Sequence, residues 1–311
     1  MSVPAPLVVI LGPTASGKSS LAIRLAAELD GEVLVCDSTQ VYRHFNIGTA
    51  KVPLAEQHGI AHHLVDLVEP EELFTAGEYR RQAMTVLADV SQRGKLPILT
   101  AGTGLYLRAL LEGLADAPER SEELRARLRD KAQLRGENHL HRVLARLDPE
   151  NAARIAPRDT QKVIRALEMR ILAGKPVAEI HRSGRSGLQG YDVRKIGLEP
   201  PRAALYAEIE GRTEEMIRQG WLEEVRRLTA SGIPSDAKPF QFIGYSELRA
   251  HLGGQLTMEA AIAKIQQSTR QFAKRQLTWF RKEPSITWLP GFGDDPEIIA
   301  AALTVLRTPH V

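Results

Sequence analysis

The 311-residue chain holds a single cysteine, Cys36, which excludes an internal disulfide and a zinc site built from several thiolates, and suits a reducing compartment. Cys36 itself reads as a small buried hydrophobe at a strand end. No apolar run approaches the ~18 residues that a membrane span needs. The N-terminus Met-Ser-Val-Pro-Ala-Pro lacks the basic and apolar regions of a secretion signal. The expectation is a soluble, cytoplasmic protein with no membrane partner. There is no internal repeat and no low-complexity tract, which excludes solenoids and disordered tails, and no Asn-Lys-x-Asp motif, which argues against a GTPase. Excess charge is scarce too: the net charge is only +3, so any nucleic-acid binding must come from local patches. Hydrophobic residues at 43% and charged residues at 25% are ordinary for a globular chain. The length suits about two domains, or one with a large insertion.

What is present begins with Gly12-Pro13-Thr14-Ala15-Ser16-Gly17-Lys18-Ser19, a full match to the phosphate-loop pattern G-x-x-x-x-G-K-[ST]. Leu7 to Leu11 ahead of it is a short β-branched run. Ser20 to Leu29 behind it has helical spacing, with Leu21, Leu25 and Leu29 four apart. This strand, loop and helix context is the one in which loop amides and a helix N-terminus bind a di- or triphosphate. Lys18 is expected to reach the outer phosphates and the Ser19 hydroxyl to ligate Mg²⁺.

Glu32 to Cys36 reads as a second strand, ending in Asp37-Ser38-Thr39-Gln40-Val41-Tyr42-Arg43. Ligands of open α/β sheets sit at the carboxyl ends of strands, so Asp37 falls near the phosphate loop. It reads there as a Mg²⁺ carboxylate, a general base or a helix N-cap. His62 to Val68 is a further expected strand, whose adjacent histidines face opposite ways and are expected to be structural rather than a joint metal site. An amphipathic helix over 74–93 follows, with Thr75 as N-cap and Gly94 at its end. The run Leu96 to Thr100 is a parallel-type strand that delivers Ala101-Gly102-Thr103-Gly104-Leu105-Tyr106 to the same rim, with the Thr103 hydroxyl a candidate donor to a ligand oxygen.

From about Pro118 the β/α alternation gives way to charged helical sequence, with helices expected over 121–135, 138–147 and 159–173. Residues 117–190 are therefore expected to form a helical insertion in an α/β core made of 1–116 and 191–311. The stretch 158–185 has seven Arg or Lys against three Asp or Glu. After a strand at Asp192 to Leu198, helices are expected over 202–219 and 221–230. Arg212, in the first of these, reads as a surface residue or as a partner for a leaving diphosphate. Residues 239–247 are an aromatic, partly polar turn entering a helix. On a helix over 258–282, Ile262, Ile265, Phe272, Ala273, Leu277 and Phe280 share one sector. Lys264, Arg270, Lys274, Arg275, Arg281 and Lys282 share another, and residues 264–282 contain no acid. Such uncompensated charge points to nucleic-acid backbone contact. A last strand from Ile286 and a helix from Pro296 to Leu306 end the chain. A phosphate loop, an Asp and a Thr at three strand ends, together with a basic helix, suit group transfer from a diphosphate to a nucleic acid. The alternative is a P-loop small-molecule or nucleotide kinase, which needs the strand ends but not the basic helix. A non-catalytic or ATPase RNA-binding protein is a third.

The chain resembles the bacterial tRNA dimethylallyltransferase (tRNA isopentenyltransferase) family over nearly its whole length. The resemblance rests on the loop Gly12 to Ser19, on Asp37 to Tyr42 with Asn46-Ile47-Gly48-Thr49-Ala50-Lys51, on Gly102 to Tyr106, on Gln161 to Glu168, on Gln241 to Tyr245 and on Thr269 to Phe280. It departs at Ala101, where the family usually has Gly, and lacks the C-terminal zinc finger of eukaryotic relatives. What it implies is a nucleotide-kinase-like P-loop core, a parallel sheet flanked by helices, plus an all-helical insertion domain that contacts tRNA. The implied reaction moves a dimethylallyl group from dimethylallyl diphosphate to the exocyclic amine of the adenosine 3′ of the anticodon, with Mg²⁺ as the only metal. By this resemblance Asp37 is the general base and Thr103 aligns the reacting groups. Lys18, Arg212, Thr14, the loop amides and Mg²⁺ at Ser19 stabilise the diphosphate, and Ser38, Thr39 and Gln40 hold the adenine. The tRNA anticodon stem-loop would be touched by Gln161, Lys162, Val163, Ile164 and Arg165, by Phe242, Ile243, Gly244, Tyr245, Ser246 and Glu247, by Arg125, and by the basic face of Arg270, Lys274, Arg275, Arg281 and Lys282. A monomer is expected.

Overall fold

Strands that are predominantly apolar must be covered on both faces, and three such strands form the centre of this protein. The computed structural model describes residues 4–115, 117–136, 138–182 and 186–308, with backbone only for 181 and 182. The chain divides into two compact units, one of residues 1–110 with 189–311 and one of residues 111–188.

In the first unit β1 (Ala5–Leu11), β2 (Gly31–Cys36), β3 (His62–His63), β4 (Leu96–Ala101), β5 (Tyr191–Leu198) and β6 (Ile286–Leu289) form one parallel sheet in the order β3-β2-β4-β1-β5-β6. The central β2 is buried throughout, whereas the edge strands β3 and β6 are only partly covered. The helices are α1 (Lys18–Glu28), α2 (Ala76–Gln92) and α3 (Gly104–Glu112), then, after the second unit, α9 (Arg202–Arg218), α10 (Trp221–Ala230), α11 (Tyr245–Leu252), α12 (Met258–Phe280) and α13 (Pro296–Arg307). Leu21 and Leu25 of α1, with Ile298 and Ala302 of α13, pack onto Val8, Ile10, Val33, Val35 and Ile98 of the sheet. The α/β P-loop fold expected from the sequence is the fold observed.

Local chemistry sets several boundaries. Thr75 caps α2 as expected: its hydroxyl accepts from Glu78 N–H at 3.2 Å while the Glu78 carboxylate accepts from Thr75 N–H at 2.7 Å. The strand expected over His62 to Val68 stops at His63, because Leu64 (φ 66°) and Asp66 (φ 54°) enter the left-handed region, which breaks a β ladder. His62 Nδ1 lies 2.9 Å from Ile60 O and His63 Nε2 lies 2.6 Å from Glu32, so each has its own partner. The helix α3 was not expected: it begins inside the Gly-rich turn, where the sequence signals a loop.

The second unit contains α4 (Glu122–Arg135), α5 (His139–Leu147), α6 (Pro149–Arg154), α7 (Thr160–Ala173) and α8 (Val177–Arg182), with no strand among its described residues. Ser121, Asp148 and Asp159 cap α4, α6 and α7 with their side chains. Leu128, Leu140, Leu144, Val163, Ile164 and Leu167 form its core. Val163 and Ile164 are 1% and 6% exposed, so their side chains serve this core.

A fully buried carboxylate, Glu168, ties two of these helices together. It receives two hydrogen bonds from the Arg125 guanidinium at 2.9 and 2.8 Å, one from Arg165 at 2.5 Å and one from Ser121 N–H at 2.8 Å. Burial alone would raise its pKa, but the bonds from Arg125 and Arg165 reverse that and hold it at about 2. A depressed carboxyl pKa stabilises the fold fully above the unfolded value and progressively less as pH falls through the folded one. Glu168→Gln is therefore expected to destabilise this unit by roughly 3 kcal/mol at neutral pH. The difference from the parent should shrink between pH 5 and pH 2, as read by hydrogen exchange of peptides from 117–182. Equal protection in variant and parent at neutral pH would contradict this role.

Candidate active site

The carboxyl ends of β1, β2 and β4 bring the phosphate loop, Asp37 and Thr103 to one rim. The loop turns into α1 at Gly17, whose φ of 81° is a left-handed conformation that favours glycine. A Cβ at Gly17 would also lie 2.6 Å from the backbone nitrogen of Gly293, whose N–H donates to Ser16 O at 2.9 Å. Ala15 packs against Leu205 and Ile209 of α9 and Ala273 of α12. One turn on from those contacts, α9 presents Arg212 and α12 presents Gln276.

The loop has the features of an anion cradle. The Ser16 hydroxyl is buried with no hydrogen-bond partner among the described residues. The Lys18 ammonium bonds back to Pro13 O at 2.7 Å. Burial lowers the Lys18 pKa to about 8; Asp37 opposes that shift and Arg212 adds to it. Burial likewise lowers that of Arg212, with the nearby Glu208 opposing. The Arg212 side chain makes no hydrogen bond or ion pair among the described residues. Two cations held together at the cost of solvation, beside an unpartnered hydroxyl, leave room for an anion to complete them.

Asp37 is oriented at one oxygen and open at the other. Its Oδ1 accepts from Thr39 N–H at 2.8 Å and from the Thr39 hydroxyl at 2.7 Å. Its Oδ2 faces Gly102 so closely that a Cβ there would come within 2.3 Å. The Gly102 and Thr103 amides both donate to Cys36 O at 3.0 Å, closing the turn onto β2. Thr103 Oγ1 accepts from Ser38 N–H at 2.9 Å and donates to Ser38 Oγ at 3.2 Å. Cys36 is buried, and burial pushes its thiol up to about 12, so it is inert packing as expected.

The remaining residues expected at the site divide by burial. The Gln40 amide donates to Thr49 O at 3.1 Å and Ala50 O at 3.4 Å, so it holds the adjoining loop. Tyr245 and Glu247 are 0% and 6% exposed and brace the turn from within. The Tyr245 hydroxyl donates to Glu224 at 2.6 Å and accepts from Gly48 N–H at 3.1 Å, and Glu247 caps Gly244 N–H at 2.7 Å. Phe242 and Ile243 are half-buried, Gly244 is buried and Ser246 is exposed. On α12 and just beyond it, Lys264, Lys274, Arg275 and Lys282 are exposed. The face is less uncompensated than its sequence implies, since Arg270 pairs with Glu210 at 2.7 Å and Arg281 pairs with Glu199. In the helical unit Gln161 and Lys162 are exposed, Lys162 pairing with Asp159 at 2.6 Å, while Arg125 and Arg165 are committed to Glu168.

Three contributors escaped the sequence reading. Glu224 is buried and its Oε2 accepts from Asn46 N–H at 3.2 Å and Ile47 N–H at 3.0 Å. Gly293 closes the back of the phosphate loop. Gln276 bonds both rims, and its signal is an amide in the apolar sector of α12.

The IPP transferase family model matches residues 40–283, which begins after the phosphate loop. Two similar chains match over nearly the whole length. The tRNA dimethylallyltransferase of Solibacter usitatus (strain Ellin6076) is 50% identical over 298 residues, 96% of this chain and 97% of that one. That of Koribacter versatilis (strain Ellin345) is 50% identical over 302 residues, 97% and 98% of the two chains. Among solved structures, the tRNA isopentenylpyrophosphate transferase of Bacillus halodurans is 37% identical with a TM-score of 0.70, covering 97% of this chain and 96% of its own. A eukaryotic dimethylallyltransferase captured acting on tRNA is 27% identical with a TM-score of 0.81, covering 97% of this chain and 78% of its own. The match over most of the chain, together with the half-identical relatives, means that this protein belongs to the IPP transferase family.

Proposed function

We infer that the chain transfers the dimethylallyl group of dimethylallyl diphosphate to N6 of the adenosine 3′-adjacent to the anticodon in tRNA, releasing diphosphate. The observation that carries this reading is the pairing of an anion cradle, formed by Lys18, Arg212 and the unpartnered Ser16 hydroxyl, with an Asp37 carboxylate whose Oδ2 accepts no hydrogen bond among the described residues. Names of relatives supply the substrates: tRNA and a prenyl donor.

The chemistry balances with these groups. The lone pair of N6 attacks C1 of the prenyl group, the C1–O bond breaks, and its electron pair leaves on the diphosphate. One N6 proton passes to Asp37 Oδ2, because an adenine amine is too weak a nucleophile to carry the positive charge. Lys18 and Arg212 meet the charge that develops on the leaving group, in a site where burial strengthens both. Thr103 and Ser38, bonded to one another, fix the rim beside the base, and the target adenosine must be flipped out of its loop to reach it.

A divalent cation suits the donor set. The described residues contain no group of three His, Cys, Asp or Glu able to hold a metal alone. Mg²⁺ instead takes one or two protein oxygens and completes its shell from phosphates and water. The Ser19 hydroxyl in the first turn of α1 would hold it, and the bound ion would neutralise diphosphate charge. No helix among the described residues is long and apolar enough to cross a membrane. With one buried thiol and a tRNA substrate, the cytoplasm is the compartment proposed.

Incubation with labelled dimethylallyl diphosphate, Mg²⁺ and undermodified tRNA is expected to label the RNA, and no transfer would refute the assignment. Asp37→Asn should lower kcat by about 10²–10⁴-fold while RNA affinity is retained, and a variant of normal activity would remove Asp37 from the base role. The Lys18 pKa of about 8 sets a second expectation. Inorganic diphosphate should bind the parent more tightly than Lys18→Met below pH 8, and that advantage should fall about tenfold per pH unit above it. An advantage undiminished at pH 10 would contradict the lowered pKa.

A further inference from the structure

The phosphate loop and the turn carrying Thr103 are joined by a side chain that belongs to neither. Gln276 is 6% exposed on α12, one turn beyond Ala273 and one turn before the fully buried Phe280. Its Oε1 accepts from Thr14 N–H at 2.7 Å, and its Nε2 donates to Gly102 O at 2.7 Å. One amide thus satisfies a donor on the loop after β1 and an acceptor on the loop after β4. Both bonds are short and the second is buried, so losing the amide leaves polar backbone groups without a partner.

The position of these two backbone groups matters to the chemistry. Thr14 lies within the cradle that faces the diphosphate. Gly102 backs onto Asp37 Oδ2, and Thr103 after it receives Ser38 N–H. A drift of Gly102 away from β1 would carry the Asp37 and Thr103 rim away from the leaving group. Misplacing reacting groups by about 1 Å costs on the order of a hundredfold in rate. Asn in place of Gln is a methylene shorter, a carboxylate lacks the donor, and an apolar chain lacks both functions.

We propose that Gln276 is a positioning residue for prenyl transfer, its amide fixing the separation between the diphosphate cradle and the Asp37–Thr103 rim. The role rests on the reading of the site as one for a prenyl diphosphate and an RNA base. Gln276 touches neither substrate in this role; it acts through Thr14 and Gly102.

The test compares two variants in the full-length protein. Gln276→Met keeps the shape and loses both bonds; kcat is expected to fall at least about tenfold while RNA Kd stays within about twofold. Gln276→Glu keeps the acceptor for Thr14, loses the donor to Gly102 O and adds a negative charge beside the loop. Its Kd for inorganic diphosphate is expected to rise at least about tenfold. Either variant with kcat and diphosphate Kd both within about twofold of the parent overturns the proposal, whatever its Tm. A third measurement needs no variant. The Thr14 amide of the ligand-free parent should exchange its hydrogen far more slowly than an unstructured amide, and exchange at the unstructured rate also overturns it. If the parent transfers no prenyl group to RNA, the function proposed above fails, while diphosphate binding and amide exchange still decide the clamp.

Discussion

Lys18 and Arg212 are held beside one another where burial opposes the charge of both. Such an arrangement is unfavourable in isolation and persists only because the surrounding fold imposes it. Two apolar contacts do so: Ala15 of the phosphate loop rests on Leu205 and Ile209, which fix α9, and on Ala273, which fixes α12. The sheet in turn fixes the loop, since β1 is paired on both sides, to β4 and to β5. The site is thus a consequence of packing, with the unfavourable electrostatics stored until an anion arrives. The same register that pairs β2 with β4 brings Asp37 against Gly102. On the proposed reading, one sheet places the proton acceptor and the leaving-group cradle together.

Local chemistry was legible in the sequence, and long-range partnership was not. The phosphate loop, the Thr75 cap and the strands β1, β2 and β4 lie within a few residues of α1 to α3 and declare themselves by spacing and cap residues. Tyr245 reads only as part of an aromatic, partly polar turn, because nothing nearby in sequence announces Gly48 or Glu224 as its partners. Arg125 and Glu168 are likewise 43 residues apart. The acid-free run 264–282 was legible as a charged face, yet its counter-charges Glu199 and Glu210 belong to other segments. Gln276 is the sharpest case: an amide in an apolar sector signals a buried hydrogen bond, but not with what.

The buried polar groups share a pattern. Glu224, Glu168 and Gln276 satisfy backbone amides or guanidinium groups on other segments, Glu247 caps the start of its own helix, and none is left unpaired. Within the phosphate loop Ser16 Oγ is buried without a partner among the described residues, and on the proposed reading it would meet a ligand oxygen. The satisfied ones brace this fold.

On this account the phosphates in the loop are a leaving group and not a group to be transferred. The most direct measurement is a single-turnover product balance with dimethylallyl diphosphate, Mg²⁺ and undermodified tRNA. The account predicts one inorganic diphosphate released for each adenosine prenylated, with no phosphorus on the RNA. Turnover of ATP with a phosphorylated acceptor, independent of RNA, would contradict it.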